Sequence, residues 1–483
     1  MVLGRDFAGA GQSGLALHDL AAPAVGGDHP PRAGPRLGQT LPPGLNGQDT
    51  HMDPNLLLLL SFAGLMLIGT PIAVALGFAG AVGILAGLDL TALGMIGPNT
   101  YAAIAKYPLI AIPLFILTGM VFERSGVAAR LVEFAQAIIG PRRGGLALVA
   151  VLVCLIMGGM SGSGPADAAA VVTVMLPSML KAGYPRGFTA SVVAASSSTA
   201  ILIPPSVAMI VYSVIVPGMD LRALFAAGMV PGLLVGLAVA VPALLLSRKH
   251  NFGIDEDPNR PPFWASFRRA IPGLMAPVII LGGLRSGLFT PTETAVVAVT
   301  YGLIVGVFLY RTMGLREIYT VLATSAKISG VVMVIISLAG LFAWAGSTMG
   351  AFDATTAALL SVSDNEWVIL IFLMIVLILA GMVLDGVSIY LIAVPLLVPI
   401  VQAFEWSFVW FGVIMAMLVA MGQFTPPVAV NLMVASKIAD TPLESTFRWV
   451  GWLLLGMLVA LGLVVIFPEL SLWLPRVLGY RIN

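Results

Sequence analysis

Two apolar stretches of this chain repeat each other in register, and each leads into a membrane-type helix interrupted at a pair of prolines. The first runs from Gly159 to Met209 and contains GMSGSGPADAAAVVTVMLP and then LIPPSVAM. The second runs from Gly381 to Asn431 and contains GMVLDGVSIYLIAVPLLVP and then FTPPVAVN. Their Gly-Met pairs, hairpin prolines and Pro-Pro pairs keep one spacing, since 381−159, 399−177 and 426−204 are each 222. Hydrophobic segments broken by Gly and Pro at matching places in two halves mark the solute site of a secondary transporter. The pattern implies a chain that moves something across a membrane.

Composition supports this. Of 483 residues, 59% are hydrophobic and 10% charged, and the mean hydropathy is +1.02. A soluble domain carries about 25% charge, so a normal aqueous surface is excluded and a multi-pass protein in a lipid bilayer is expected. A net charge of +1 leaves no basic footprint for nucleic acid. The lone Cys154 excludes a disulfide framework. His18, His29, His51 and His250 all lie outside apolar segments, which excludes a histidine metal centre at membrane depth. Residues 1–51 are rich in Gly, Pro and Ala and are expected to form a disordered extension, with Met52 read as the alternative start.

Two stretches, 144–180 and 367–404, are long and apolar with a polar break at the middle. Arg142 and Arg143 precede the first, and Lys181 and Arg186 follow it. Positive residues stay on the cytoplasmic side, so the first stretch is expected to enter and leave by that face as a re-entrant hairpin with its tip at Ser161–Pro165. Asp364, Glu366 and Glu405 flank the second without a basic residue nearby, which places its ends on the opposite face and its tip near Leu384–Gly386. The expected organisation is all-α, with two inverted-topology repeats: 52–246 with the first hairpin, a cytoplasmic linker 247–270, and 271–483 with the second hairpin. The amphipathic segment 127–139 reads as an interfacial arm or a short span. Lys327 reads as a snorkelling residue at the start of a helix.

Non-helical backbone survives at membrane depth only where protein or a water-filled cavity satisfies it. Ser161, Gly162 and Ser163 therefore need a purpose: hydroxyls and bare carbonyls are hard oxygen ligands suited to sodium, and half-helix N-termini suit a carboxylate. Ser196, Ser197, Ser198 and Thr199, ahead of Pro204 and Pro205, supply an opposing surface, although small hydroxyl residues also serve close helix packing. The matching groups in the second half are Asp385, Gly386 and Ser388 at the tip and Gly422, Thr425 and Asn431 at the break. Asp385 and Asp167 each read either as a helix cap or as a member of the site. Thr290 and Glu293 read as a helix start. No Walker motif, HExxH or GxSxG occurs, so no enzyme chemistry and no cofactor are expected.

The segments GGMSGSGPADAAA, LPSMLKAGYPRGF, IPPSVAMIVYSV, AGMVPGLL, GLFTPTETA, TPPVAVNLMVAS and FPELSLWLP resemble the large membrane subunit of TRAP transporters, the DctM-type permease. The upstream segments AIPLFILTGMVFERSG and RGGLALV do so too, and the resemblance runs from Asn55 to Pro475. It implies an elevator-type secondary transporter of the bacterial inner membrane, driven by sodium. It also implies two partners, a small four-helix membrane subunit and a periplasmic solute-binding protein, and an organic acid as solute. Carried over by position, a first sodium site would use Ser161, Gly162, Ser163 and the backbone at Ile203, Pro204 and Pro205. A second would use Asp385, Gly386 and the backbone around Gly422, Thr425 and Pro426. The solute would sit between the tips, with Ser161, Ser163, Asp167, Ser197, Ser198, Asp385 and Asn431 as its candidate contacts. Hairpins and repeats alone fit a stand-alone sodium/carboxylate symporter or antiporter equally well.

Overall fold

The computed structural model describes residues 53–253 and 261–482. The expected extension 1–51 and the middle of the expected linker lie outside the described residues. Every regular element among the described residues is helical. The first half comprises α1 (Pro54–Leu67), α2 (Ile72–Gly87), α3 (Ile96–Ile104), α4 (Ala111–Arg124), α5 (Val127–Ile139), α6 (Gly145–Ser161), α7 (Gly164–Lys181), α8 (Arg186–Ser197), α9 (Val207–Ile215) and α10 (Leu221–Lys249). The second comprises α11 (Phe263–Ser286), α12 (Pro291–Ile304), α13 (Leu315–Thr348), α14 (Ala351–Val362), α15 (Glu366–Val383), α16 (Gly386–Ala403), α17 (Phe408–Gly422), α18 (Val430–Ile438), α19 (Phe447–Ile466) and α20 (Glu469–Val477). A shift of 222 residues brings α6, α7, α8 and α9 onto α15, α16, α17 and α18, with starts matching within one residue.

Local chemistry fixes these boundaries. Gly162 takes the left-handed conformation at φ 60° and stops α6. The Asn365 side chain accepts the Trp367 N–H at 2.9 Å and opens α15. Ser407 does the same for α17, and Thr290 with Glu293 forms a reciprocal capping box at α12. From Val409 to Gly422, α17 is buried on all sides, as expected of a helix that is apolar all round. It is the central post of the second half.

Both ends of the first hairpin lie at one end of the bundle. Gly144 sits against Ser247, and Gly253 donates its N–H to the Ala182 carbonyl at 3.0 Å. Arg186 reaches the Ala439 carbonyl there at 2.7 Å, and Arg448 lies 3.9 Å over Trp449. Both ends of the second hairpin lie at the other end, joined by Trp406 Nε1 donating to Glu366 at 3.4 Å. The hairpins thus enter from opposite faces, and by the positive-inside rule the basic end is cytoplasmic. Cysteines at Arg143 and Lys181 should react with an impermeant maleimide from the cytoplasmic side only. Cysteines at Glu366 and Glu405 should react from the periplasmic side only. Cys154 is buried and will contribute little background. Opposite-side labelling of Arg143→Cys and Lys181→Cys would replace the hairpin with a spanning helix.

The structure settles one open reading and corrects another. At 13 residues, α5 is about 20 Å long and too short to span. It is an arm at the basic end, packed on α6, α7 and α11, with Arg130 stacked 4.4 Å over the Tyr310 ring. Its repeat counterpart is α14, packed on α13 and α16. Lys327 does not begin a helix: α13 starts at Leu315 and runs for 34 residues, about 51 Å by helix rise against a hydrocarbon core of about 30 Å.

Candidate functional site: two hairpin tips on two broken helices

Each hairpin is completed by the other repeat. The returning arm of the first, α7, packs on α18, and the returning arm of the second, α16, packs on α9. The repeat mate of α9 is α18, so these two contacts are related by the same pseudo-symmetry. Both broken helices turn at a cis Pro-Pro bond, Pro204-Pro205 and Pro426-Pro427.

At the first tip, Ser161 and Asp167 are buried and bonded: the Ser161 hydroxyl donates to Asp167 Oδ1 at 2.7 Å. The Ser163 N–H donates to Ser161 Oγ at 3.2 Å. This knot seats on the proline break so closely that a Cβ on Gly162 would lie 2.2 Å from the Pro205 carbonyl oxygen. Asn431, brought in by α18, lies against the start of α7; a Cβ on Gly164 would meet its Nδ2 at 2.7 Å and its Oδ1 at 2.9 Å. The Asn431 backbone N–H donates to the Gln423 carbonyl at 3.0 Å. Its side-chain Oδ1 and Nδ2 are buried without a hydrogen-bond partner, and so is Asp167 Oδ2. Orphaned buried polar atoms are costly, and these three lie on α7 and α18, the two helices that cross here. Two of the three are oxygens of the hard kind that sodium takes, and the third is an N–H donor suited to an anion or a carbonyl.

The break in the first half supplies less than the sequence suggested. Ser196, Ser197, Ser198 and Thr199 donate their protons to the carbonyls of Val192, Ala194, Ala195 and Ser196 at 2.6, 3.0, 2.6 and 2.7 Å. Only their lone pairs remain for a ligand. Ile203 donates its N–H to the Thr199 carbonyl at 3.0 Å and packs over Gly232.

The second tip is arranged differently. Asp385 is exposed, and Oδ2 accepts the Val387 and Ser388 N–H groups at 3.1 and 3.3 Å. Oδ1 accepts the Ser388 hydroxyl. In this conformation Asp385 acts as the cap of α16. Gly386 faces Gln423, whose Nε2 would lie 3.0 Å from an added Cβ, and Gln423 Oε1 is buried without a partner. Gln423 was not legible as a site residue, because the hydroxyls and prolines around it carried the motif; a lone amide three residues before Pro426 was the available signal. Gly381 and Gly422 meet backbone to backbone, with a Cβ on Gly422 2.4 Å from Gly381 Cα. The Met382 carbonyl takes the N–H groups of Val428 and Ala429 at 3.2 and 3.0 Å. Thr425 turns its hydroxyl onto the Met421 carbonyl at 2.6 Å.

Opposed hairpins in an inverted repeat, each tip seated on a broken helix, define a multi-pass secondary transporter. Residues 59–470 match the family described as the tripartite ATP-independent periplasmic transporter, DctM component. The chain belongs to that family and is a large permease of the TRAP type in the inner membrane. It is 39% identical over 374 residues to the C4-dicarboxylate TRAP transporter large permease protein DctM of Pseudomonas aeruginosa, covering 77% of this chain and 87% of that one. It is 32% identical to the sialic acid TRAP transporter large permease protein SiaM of Vibrio cholerae, covering 87% of this chain and 99% of the other. The fold is similar to the crystal structure of the Alcanivorax borkumensis YdaH transporter, with a TM-score of 0.59 at 15% identity, over 87% of this chain and all of that one.

Proposed function

We propose that this permease takes up an organic acid coupled to sodium, receiving the solute from a periplasmic binding protein and working beside a small four-helix membrane subunit. The observation that carries the coupling is the orphaned oxygen of Asp167 beside the unpartnered Asn431 amide at the first tip. Sodium bound there would be held by Ser161, Asp167, Asn431 and the tip carbonyls. A second ion at the other tip would draw on Gly386, Gln423 and the backbone from Gly422 to Pro426. An ion held in place orders the tip that completes the solute site, so the two ligands bind with reciprocal coupling of ~1–3 kcal/mol. Similarity to relatives named for a C4-dicarboxylate and for sialic acid supports a carboxylate as the solute class. The moving body in this reading is the set of helices around α17, displaced against α2, α4, α12 and α13.

The test is initial uptake into proteoliposomes holding this chain and its small subunit, with loaded binding protein outside. Uptake should require both an inward sodium gradient and the binding protein. Uptake that needs sodium but not the binding protein would favour a stand-alone sodium/carboxylate symporter. Uptake indifferent to sodium would end the coupling proposal.

A further inference from the structure

A cavity of about 420 Å³ opens at the end of the bundle opposite the basic loops, with α3 and α13 on one wall and α9 and α16 on the other. Its position in the chain is informative. Both α9 and α16 start at the transport site, one at the Pro204-Pro205 break and the other at the second tip, and both run to this cavity. Val211 and Val214 line it from α9, and Leu391 and Pro395 line it from α16. It therefore lies between the periplasmic end and the tips, alongside the two helices that lead to them.

Most of its surface is apolar, but one rim is not. Lys106 lies just before the turn that opens α4, and α4 ends at the basic face, so Lys106 stands at the periplasmic end. Its ammonium donates to the Val214 carbonyl at 3.2 Å and forms no ion pair among the described residues. An ammonium has three N–H donors, so two are free for an incoming anion. The wall opposite offers acceptors. Pro395 and Pro399 have no N–H to give, so the Leu391 and Pro395 carbonyls on α16 lack their helical partners. Asn99 and Ser347 add small polar groups, and among the described residues Asp353 is the only acid in the lining. A cation with two unused N–H donors at the rim of an apolar chamber suits a small organic acid, with its carboxylate on Lys106 and its body along α16. The volume is in the range of small-molecule pockets, roughly 300–1,000 Å³.

We propose that this cavity is a capture site for a carboxylate on its way from the periplasm to the hairpin tips, with Lys106 as the residue that selects the anion. The proposal rests on the reading of this chain as an organic-acid permease, and it adds a site that the tips do not provide. The Lys106 bond to Val214 ties the α4 side of the cavity to the α9 side, so capture of an anion would compete for the same ammonium.

Ser347→Cys places an accessible thiol in the cavity while Cys154 stays buried. The purified complex of this chain with its small subunit is labelled with a maleimide in the presence of succinate, gluconate, N-acetylneuraminate or the uncharged mannitol. At least one acid should slow labelling and mannitol should not. Adding Lys106→Met should raise the half-protecting concentration roughly tenfold, and Lys106→Arg should restore it. Restoration by Lys106→Gln, which keeps a donor without charge, or an unchanged Lys106→Met curve, would overturn the site. Uptake of the same acids by the Lys106 protein is measured in parallel. Uptake without protection overturns the capture site alone, whereas neither uptake nor protection overturns the functional reading with it.

Discussion

Replacing Gly422 with alanine should leave a chain that inserts in the membrane and transports at less than about one-tenth of the parental rate, an effect of ~1.4 kcal/mol or more. The added methyl would sit 2.4 Å from both Cα and the carbonyl carbon of Gly381, where ordinary carbon contacts need about 3.5–4.0 Å. Both neighbours are backbone, so no side chain can swing away, and α15 must part from α17 by more than ~1 Å. Overpacking of this kind typically costs 1–3 kcal/mol. It would also strip the Met382 carbonyl from the Val428 and Ala429 N–H groups that pin the second tip to its break. Gly462, on the exposed side of α19 with nothing within 4 Å of an added Cβ, is the control and should tolerate alanine. Parental uptake by Gly422→Ala would mean that this crossing opens in the working cycle and that the close approach is incidental.

The second large effect separates the two tip aspartates. Asp167→Asn should abolish or strongly right-shift the dependence of uptake on sodium, by about tenfold or more, whereas Asp385→Asn should leave it near parental. Asparagine keeps an acceptor for the Ser161 hydroxyl but removes the charge, so the tip can still fold. A charge at the bilayer centre costs ~2.5–3.5 kcal/mol on insertion scales, and no basic side chain is paired with Asp167 among the described residues to offset it. A bound cation is the compensating partner the cluster lacks. At Asp385 both oxygens already serve the start of α16, and asparagine caps a helix nearly as well as aspartate. Initial rates against external sodium decide the matter. A parental curve for Asp167→Asn would reduce Ser161 and Asp167 to a structural knot, and a lost curve for Asp385→Asn would make the Asp385 carboxylate a ligand of the second ion rather than only a cap.

The hairpins and breaks were legible in the sequence because apolar runs with Gly, Ser and Pro at their centres have few alternatives at membrane depth. The constant offset of 222 identified both at once. The arm α14 escaped notice because Ala351–Val362 is short and carries Asp353, and because its register against α5 drifts by two residues. The partnership of Asn431 with the first tip could not be read either, since the sequence pairs each break with its own hairpin, and the fold keeps that pairing while packing the half-helix beyond each break on the other hairpin. Gln423 and Lys106 carry no motif. Their significance comes from a neighbour supplied by another helix, and a single sequence does not record such contacts.

The exchange of partners between repeats also sets a timetable for biosynthesis. Asn431 leaves the ribosome 264 residues after Asp167 (431−167), a delay of roughly 13–50 s at 5–20 residues per second. Throughout that interval the first hairpin is already made while the helix that covers its tip does not exist. Ser161 and Asp167 must wait with first-half neighbours alone, the Pro204-Pro205 break and α4, and without Asn431. The nascent first half is therefore open to chaperoning or proteolysis in the membrane until the second half arrives.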